Sequence, residues 1–158
     1  MAIQLGEHAP DFSLPSATGT SVSLADFRGK RTVVLFFYPK DESPGCTAEA
    51  CAFRDANGEF AEAGAEVIGV SSDSAKSHQK FADKHKLPMT LLSDESGEVQ
   101  TKYGVRSLFG LLPGRVTFVI DRGGIIRYVF DSQLRFNRHV EEALRVVRSL
   151  ESGQASTG

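Results

Sequence analysis

The run Thr32–Tyr38 (TVVLFFY) is the feature that most restricts how this chain folds. All of its residues are β-branched, aliphatic or aromatic, and the run lacks the alternation of apolar and polar positions that a half-exposed strand shows. Such a continuous apolar run is typical of a strand that is buried on both faces. It therefore predicts the central strand of a sheet that is covered on both sides.

The segments around this strand predict an alternation of strands and helices. Residues 46–64 have apolar residues at helical spacing, and a second apolar strand is expected at Glu66–Ser71. A helix is expected at Asp73–Lys86, with Asp73 or Ser74 as its N-cap. This order predicts an α/β fold with a mixed central sheet flanked by helices. The other expected elements are a strand at Thr90–Ser93, a helix at Glu98–Tyr103, strands at Arg115–Asp121 and Ile125–Asp131 with a turn at Arg122–Gly124 between them, and an amphipathic helix at Asn137–Glu151.

Length and charge exclude several classes of protein. With 158 residues, the chain is expected to form one domain, residues 1–151, followed by a flexible tail at 152–158. Eighteen Lys and Arg residues against twenty Asp and Glu residues give a net charge of −2, which argues against a nucleic-acid-binding protein. No apolar run is long enough to span a membrane, and residues 1–12 carry no secretory signal. We therefore expect no membrane partner and a cytoplasmic location, with a removed organelle-targeting segment as the open alternative.

The chain has two cysteines, Cys46 and Cys51, which are too few for a disulfide framework. A structural zinc site needs four ligands, and no histidine lies near the cysteines in sequence. His78 and His85 are seven residues apart and could share one face of a helix, but their neighbours are strongly polar. We expect that face to be solvated and expect no metal ion.

The segment Tyr38–Cys51 (YPKDESPGCTAEAC) contains the residues that are suited to chemistry. It leaves the central strand, passes through a loop with two prolines and reaches Cys46 at the start of the next helix. Reactive groups in α/β sheets gather at the carboxyl ends of strands. A thiol at a helix N-terminus also faces the positive end of the helix dipole and unpaired N–H groups, which favour the thiolate. The alternative is an inert cysteine buried in the core.

Cys46 and Cys51 are five residues apart, which limits how they can react with each other. On a regular helix this spacing puts the two Cα atoms roughly 8.6 Å apart, because five residues rise ~7.5 Å and turn by ~500°. A disulfide usually spans about 4.4–6.8 Å between Cα atoms. If these cysteines form a disulfide, the first turn of the helix must therefore unwind.

The two cysteines are also expected on different faces of that helix. Cys46 shares a face with Phe53 and Phe60, which indicates the core side, whereas Cys51 shares a polar face with Arg54. An enclosed thiolate would react first, and a more accessible thiol would resolve the product. This arrangement suits peroxide chemistry, in which a thiolate becomes a sulfenic acid and then condenses with a second thiol.

YPKDESPGCTAEAC resembles the active-site segment of the peroxiredoxins, and specifically that of the bacterioferritin-comigratory-protein/PrxQ group. The segments LGEHAPDFSLP, TVVLFFYPKD, EVIGVSSDS and GRVTFVID resemble the same family in the expected order. The similarity extends from Leu5 to Leu150. It implies a thioredoxin-like fold with an N-terminal extension.

The resemblance implies roles for five residues. Cys46 falls on the peroxidatic cysteine and Cys51 on the resolving cysteine, while Pro39 falls on the active-site proline. Arg115 falls on the active-site arginine, a residue type that stays protonated and can stabilise a thiolate and the charge on a leaving oxygen. Ser43 falls where the family most often has threonine, and this change keeps the hydroxyl group.

The resemblance further implies a monomeric peroxidase without a cofactor. Its substrates would be hydrogen peroxide and organic hydroperoxides, and its reductant would be thioredoxin or a similar dithiol protein. A thioredoxin-type dithiol–disulfide oxidoreductase and a redox-switched interaction protein stay open as alternatives. Against the first of these, the cysteine spacing is not CxxC, and Val116 stands where thioredoxins have a proline. Glu49 is expected to be an exposed residue of the first helical turn, outside the site, with an interaction with the loop that leads to Cys46 as the alternative.

Helix geometry predicts how a Cys46–Cys51 disulfide would change local stability. Oxidation should unwind the first helical turn, with the loss of backbone hydrogen bonds that contribute ~0.5–1.5 kcal/mol each. We therefore expect faster amide hydrogen exchange between about residues 43 and 54 in the oxidised protein than in the reduced protein. Mass spectrometry of both forms measures this difference. Equal protection of residues 46–54 in both forms would contradict a continuous helix through the two cysteines.

Overall fold

The computed structural model describes residues 5–105, 115–131 and 136–151. In chain order these residues form β1 (Ser13–Pro15), β2 (Ser21–Ser23), a 3-10 helix (Leu24–Phe27), β3 (Thr32–Phe37), α1 (Pro44–Glu62), β4 (Ala65–Ser71), α2 (Ala75–His85), β5 (Thr90–Ser93), α3 (Glu98–Lys102), β6 (Val116–Ile120), β7 (Ile126–Asp131) and α4 (Phe136–Glu151). The bounds of β3–β7 and α1–α4 differ from those expected from the sequence by at most two residues, whereas β1, β2 and the 3-10 helix are not expected from it. The tail expected at 152–158 lies outside the described residues.

The main sheet has the strand order β5-β4-β3-β6-β7. β3, β4 and β5 run parallel, whereas β6 pairs antiparallel with both β3 and β7. The sheet is therefore mixed, as the sequence predicts. β1 and β2 form a separate antiparallel pair that, with the 3-10 helix, makes up the N-terminal extension.

Two hydrophobic layers cover the faces of the main sheet. Side chains of α1, α2 and α4 pack on one face, and side chains of α3 and the N-terminal extension pack on the other. Every residue of β3 is buried, which confirms the strand predicted from the apolar run. Among the residues that the structure describes, no helix has the length and hydropathy needed to cross a membrane.

The position of α1 on the sheet depends on a glycine in β4. Gly69 lies between Phe36 of β3 and Leu91 of β5 in the register of the sheet. A Cβ atom on Gly69 would lie 2.7 Å from Phe36 Cζ and 2.9 Å from Leu91 Cδ2. The Phe36 ring also stacks on Phe53 of α1, with ring centroids 4.5 Å apart. The missing side chain at Gly69 therefore makes room for the ring on which the helix with both cysteines packs.

The direction of the strands determines which loops meet. β3, β4 and β5 are parallel, so the loops that follow them lie at one edge of the sheet. The antiparallel register of β3 and β6 pairs Phe37 with Val116, which puts Arg115 next to the carboxyl end of β3. Segments that are distant in sequence thus converge at the N-terminus of α1.

Substitution of Gly69 by alanine should lower the free energy of unfolding by about 1–3 kcal/mol, because overpacking forces core side chains or backbone to shift. Gly58→Ala is the matched control, since Gly58 is an exposed residue of α1 and nothing lies within 4 Å of an added Cβ there. The control should raise the free energy of unfolding by ~0.5–1 kcal/mol. Urea denaturation of the three proteins measures both changes. A Gly69→Ala protein as stable as the wild type would show that this close contact is not needed.

Candidate active site

Cys46 lies in the first turn of α1, as the sequence predicts. Ser43 is the N-cap and Pro44 is the first helical residue, a position that suits proline because its missing N–H would have no helical partner. Cys46 is the third residue of the helix, and only 1 % of its surface is exposed. Its sulfur is therefore enclosed at the positive end of the helix dipole.

Arg115 reaches the sulfur from the adjacent strand. Its Nη1 donates a hydrogen bond of 3.4 Å to Cys46 Sγ. The arginine precedes β6, and the pairing of Phe37 with Val116 brings it to the end of β3, from which the loop to α1 departs. Arg115 is 5 % exposed, so its charge acts on the sulfur with little screening by water.

Glu49 belongs to the same cluster, and the expectation that it is an exposed helix residue is wrong. The residue is fully buried, and its Oε1 accepts a hydrogen bond of 3.0 Å from Arg115 Nη1. The physical reason is helical spacing, because residues three apart lie on the same face and Cys46 already faces the core. This i, i+3 relation to Cys46 was the signal by which the sequence could have revealed Glu49.

The pKa values of Glu49 and Arg115 are both shifted in this cluster. Burial raises the pKa of Glu49 from 4.5 to about 7, although the charge and hydrogen bond of Arg115 act in the opposite direction. Burial acts to lower the pKa of Arg115, but the charges of Glu49 and Cys46 outweigh it and raise that pKa above its ordinary value. The guanidinium therefore stays charged, while the carboxyl of Glu49 can gain or lose a proton near neutral pH.

His139 of α4 completes the cluster and was not identified from the sequence. It is fully buried, its Nδ1 lies 2.8 Å from Thr117 Oγ1 and 3.5 Å from Glu49 Oε2, and its ring packs edge-on against Phe130. Thr117 and Phe130 are paired residues of β6 and β7. His139 therefore joins the last helix to the carboxyl group that holds Arg115, a contact that no local sequence pattern indicates.

Cys51 lies one and a half turns further along the same continuous helix. Its side chain is half-buried, whereas Cys46 is enclosed, and both thiols are free. The different exposure of the two cysteines confirms the sequence-based expectation about their faces. The structure is thus the reduced arrangement, in which the helix keeps the two residues apart.

Pro39 and Ser43 lie in the loop between β3 and α1. Pro39 is half-buried and comes directly after Tyr38, so it interrupts the strand at the edge of the site. Ser43 is half-buried, and its hydroxyl donates a hydrogen bond of 3.0 Å to the carbonyl of Lys40. The structure brings Cys46 and Arg115 into contact, whereas the Ser43 hydroxyl is engaged within its own loop.

The expectation that His78 lies on a solvated helix face is wrong. His78 is fully buried, because its ring contacts Asp41 of the loop and the carbonyl of Leu92 in β5. In the described parts of the chain, ligand atoms of Asp41, Asp73 and His78 lie within 4.8 Å of one another, close enough to hold a metal ion. Each of these groups already has a hydrogen-bond partner in the protein, which favours a hydrogen-bonded network instead.

Residues 5–129 match the AhpC/TSA family. A protein of rice named putative peroxiredoxin Q, chloroplastic, is 50 % identical over 149 residues, which cover 94 % of this chain and 68 % of the rice protein. Peroxiredoxin Q, chloroplastic, of Sedum lineare is 51 % identical over 146 residues, which cover 92 % of this chain and 78 % of that protein.

Solved structures agree with these relatives. Peroxidoxin BcpB of Mycobacterium tuberculosis superposes with a TM-score of 0.88 at 41 % identity, covering 94 % of this chain and 98 % of the other. The bacterioferritin comigratory protein of Xanthomonas campestris, described for its alkyl peroxide reduction activity, gives a TM-score of 0.81 at 28 % identity, with coverage of 89 % and 92 %. This chain therefore belongs to the AhpC/TSA family, as a peroxiredoxin of the bacterioferritin-comigratory-protein/PrxQ group with a thioredoxin fold, and it reduces peroxides at the expense of a thiol reductant.

Proposed function

We propose that Cys46 reduces the peroxide and that Cys51 resolves the oxidised product. The observation that carries this proposal is the 3.4 Å hydrogen bond from Arg115 Nη1 to the enclosed Sγ of Cys46 in the first turn of α1. An oppositely charged partner and a helix N-terminus both favour a thiolate, which is the nucleophilic form of cysteine.

In the first step the Cys46 thiolate attacks one oxygen of the peroxide. A sulfur–oxygen bond forms and the oxygen–oxygen bond breaks, with its electron pair on the second oxygen, which takes a proton and leaves as water or an alcohol. Arg115 stabilises the charge that moves from the sulfur toward this leaving oxygen. Pro39 restricts the loop, and the Ser43 hydroxyl, which can both donate and accept, turns from the Lys40 carbonyl toward the peroxide.

In the second step the sulfur of Cys51 attacks the sulfenic sulfur of Cys46. A disulfide forms, the sulfur–oxygen bond breaks and the hydroxyl group leaves as water with the proton of the second thiol. The first turn of α1 unwinds for this step, because a regular helix keeps the two Cα atoms beyond the usual span of a disulfide.

A dithiol protein of the thioredoxin type then restores both thiols by transferring two electrons and two protons. Hydrogen peroxide and organic hydroperoxides are the proposed substrates, and the monomer is the proposed working form.

A cytoplasmic location stays a prediction. Its alternative, a removed organelle-targeting segment, agrees with the chloroplastic location in the names of the plant relatives.

Replacement of either cysteine separates the two steps. Cys46→Ser should abolish peroxide consumption, because it removes the attacking sulfur. Cys51→Ser should still form one sulfenic acid per chain, but it should lose turnover with thioredoxin, thioredoxin reductase and NADPH. Peroxide consumption and mass spectrometry measure both outcomes. Substantial turnover by Cys46→Ser would refute the role of Cys46. Reduction of insulin by the wild-type protein in the absence of peroxide would favour a dithiol oxidoreductase.

Glu49 should make the stability of the reduced protein depend on pH. The pKa of Glu49 is raised from 4.5 to about 7 in the folded state. The contribution of Glu49 to the free energy of unfolding is therefore fully present below pH 4.5 and is lost as the pH rises through 7. Relative to Glu49→Gln, the free energy of unfolding of the wild type should fall by about 3 kcal/mol across this range, because each unit of pKa difference corresponds to ~1.36 kcal/mol. Urea denaturation of both proteins from about pH 4 to about pH 8 measures the difference. Parallel pH curves would contradict the burial of a titrating carboxyl group.

A further inference from the structure

The active-site loop (residues 39–43) is attached to α2 through a buried carboxylate. Asp41 is 4 % exposed, and its Oδ2 lies 2.7 Å from His78 Nδ1 and accepts a hydrogen bond of 2.8 Å from the Ser77 hydroxyl. Its Oδ1 accepts a hydrogen bond of 2.7 Å from the Tyr38 hydroxyl. Asp41 therefore has three side-chain partners, two of them on α2.

The geometry of His78 shows that this contact is a strong one. Its Nε2 lies 2.9 Å from the carbonyl of Leu92, which can only accept, so Nε2 carries a proton. Its Nδ1 faces the Asp41 carboxyl group at 2.7 Å, so a proton also lies between these two atoms. A buried hydrogen bond of this kind is costly to break by removal of one partner, because the remaining polar group is left unsatisfied.

Further contacts hold the same loop. The backbone N–H of Asp41 donates a hydrogen bond of 2.8 Å to Asp73 Oδ2, which also accepts from the Ser71 hydroxyl. The next residue, Glu42, has a positive φ of 66°, and its Oε1 lies 3.3 Å from His85 Nε2. The two histidines of α2 thus both face the loop. The contact of His78 with Asp41 is buried, whereas that of His85 with Glu42 is exposed.

The loop leads directly into the helical turn that must unwind. Asp41 lies three residues before Pro44, the first residue of α1, and five before Cys46. Any unwinding of this turn moves the chain between Asp41 and Cys51, since Asp41 is fixed to α2 while Cys51 lies within the helix. The strength of the loop attachment therefore affects how easily the turn opens.

We propose that Asp41 and His78 are positioning residues that tie the active-site loop to α2 and thereby limit how often the first turn of α1 unwinds for disulfide formation. This inference rests on the proposed function, because it assigns a regulator to the step in which Cys51 resolves Cys46. The pair touches neither cysteine and acts through the loop.

The attachment sets the fate of the sulfenic acid. While the turn stays wound, Cys51 cannot reach the sulfenic sulfur. A second peroxide can then transfer an oxygen to this sulfur, so that a sulfinic acid forms, the oxygen–oxygen bond breaks and water or an alcohol leaves. Release of the loop should therefore speed disulfide formation and reduce the fraction of sulfinic acid. The first step should keep its rate, because the wound conformation is still the more populated one in the reduced protein.

The test uses three variants of the full chain. Asp41→Asn keeps the shape of the carboxyl group but replaces one acceptor oxygen by an NH2 donor. His78→Asn removes the contacts of the ring with Asp41, Leu92 and Tyr38. Ser77→Ala removes a single hydrogen bond to Asp41 and should have a smaller effect. Tyr103→Phe is the matched control, since it deletes a hydrogen bond of 2.6 Å from a buried tyrosine to the Pro10 carbonyl in the core layer on the opposite face of the sheet.

Each protein is treated with increasing hydrogen peroxide, quenched and analysed by mass spectrometry for the ratio of sulfinic acid to disulfide. We expect this ratio to fall on the order of tenfold in Asp41→Asn and His78→Asn, the change that corresponds to ~1.4 kcal/mol. It should fall less in Ser77→Ala and stay unchanged in Tyr103→Phe. The rate of sulfenic acid formation, measured in a Cys51→Ser background, should be that of the parent.

Several outcomes would overturn the proposal. An unchanged ratio in all three loop variants would do so, and so would an equal fall in Tyr103→Phe, which would indicate general destabilisation. If His78→Asn does not fold, Asp41→Asn and Ser77→Ala decide the matter, together with hydrogen exchange of residues 41–47 in the reduced proteins, which should be faster than in the wild type. Failure of the proposed function is a different result, in which the wild type itself forms no Cys46–Cys51 disulfide.

Discussion

Arg115 is almost completely enclosed, and its Nη1 donates both to the carboxyl group of Glu49 and to the sulfur of Cys46. Removing a guanidinium from water is costly unless opposite charges meet it at hydrogen-bond distance. Glu49 supplies such a charge only in part, because its own carboxyl group gains a proton near neutral pH. The sulfur of Cys46 is the second partner of the guanidinium, 3.4 Å from its Nη1. In the proposed mechanism, this arginine acts on the sulfur that attacks the peroxide.

The sheet, rather than the neighbours in sequence, brings these groups together. The pairing of Phe37 with Val116 puts Arg115 at the end of β3, and the pairing of Thr117 with Phe130 forms the surface that His139 packs on. A slip of one residue in the register between β3 and β6 would turn each side chain of β6 to the other face. The site thus depends on an accurate register between strands whose residues are about eighty positions apart in the chain.

Local patterns in the sequence predicted the strands of the main sheet, the four α-helices and the position of Cys46, because apolar periodicity and proline positions act within one element. They did not reveal β1, β2 or the 3-10 helix. The resemblance of the segment GRVTFVID then implied a role for Arg115, which spacing alone does not show. His78 was misjudged because its neighbours in α2 are polar, while the partners that bury it, Asp41 and Leu92, come from other elements. Glu49 was misjudged although its spacing from Cys46 indicated a shared face. Burial that depends on distant partners is the part that one sequence does not reveal.

In the proposed mechanism, the N-terminus of α1 meets two opposing requirements. It must be well ordered before Cys46 reacts with a peroxide, and it must unwind once the sulfenic acid has formed. Oxidation itself weakens one attachment, because a neutral sulfenic acid attracts Arg115 less strongly than a thiolate does. The attachment of Asp41 to His78 does not involve the sulfur, so the reaction leaves it intact. In this mechanism the first step therefore weakens the contact between the helix and Arg115, and the proposed role of the loop contact is to limit how quickly the turn then opens.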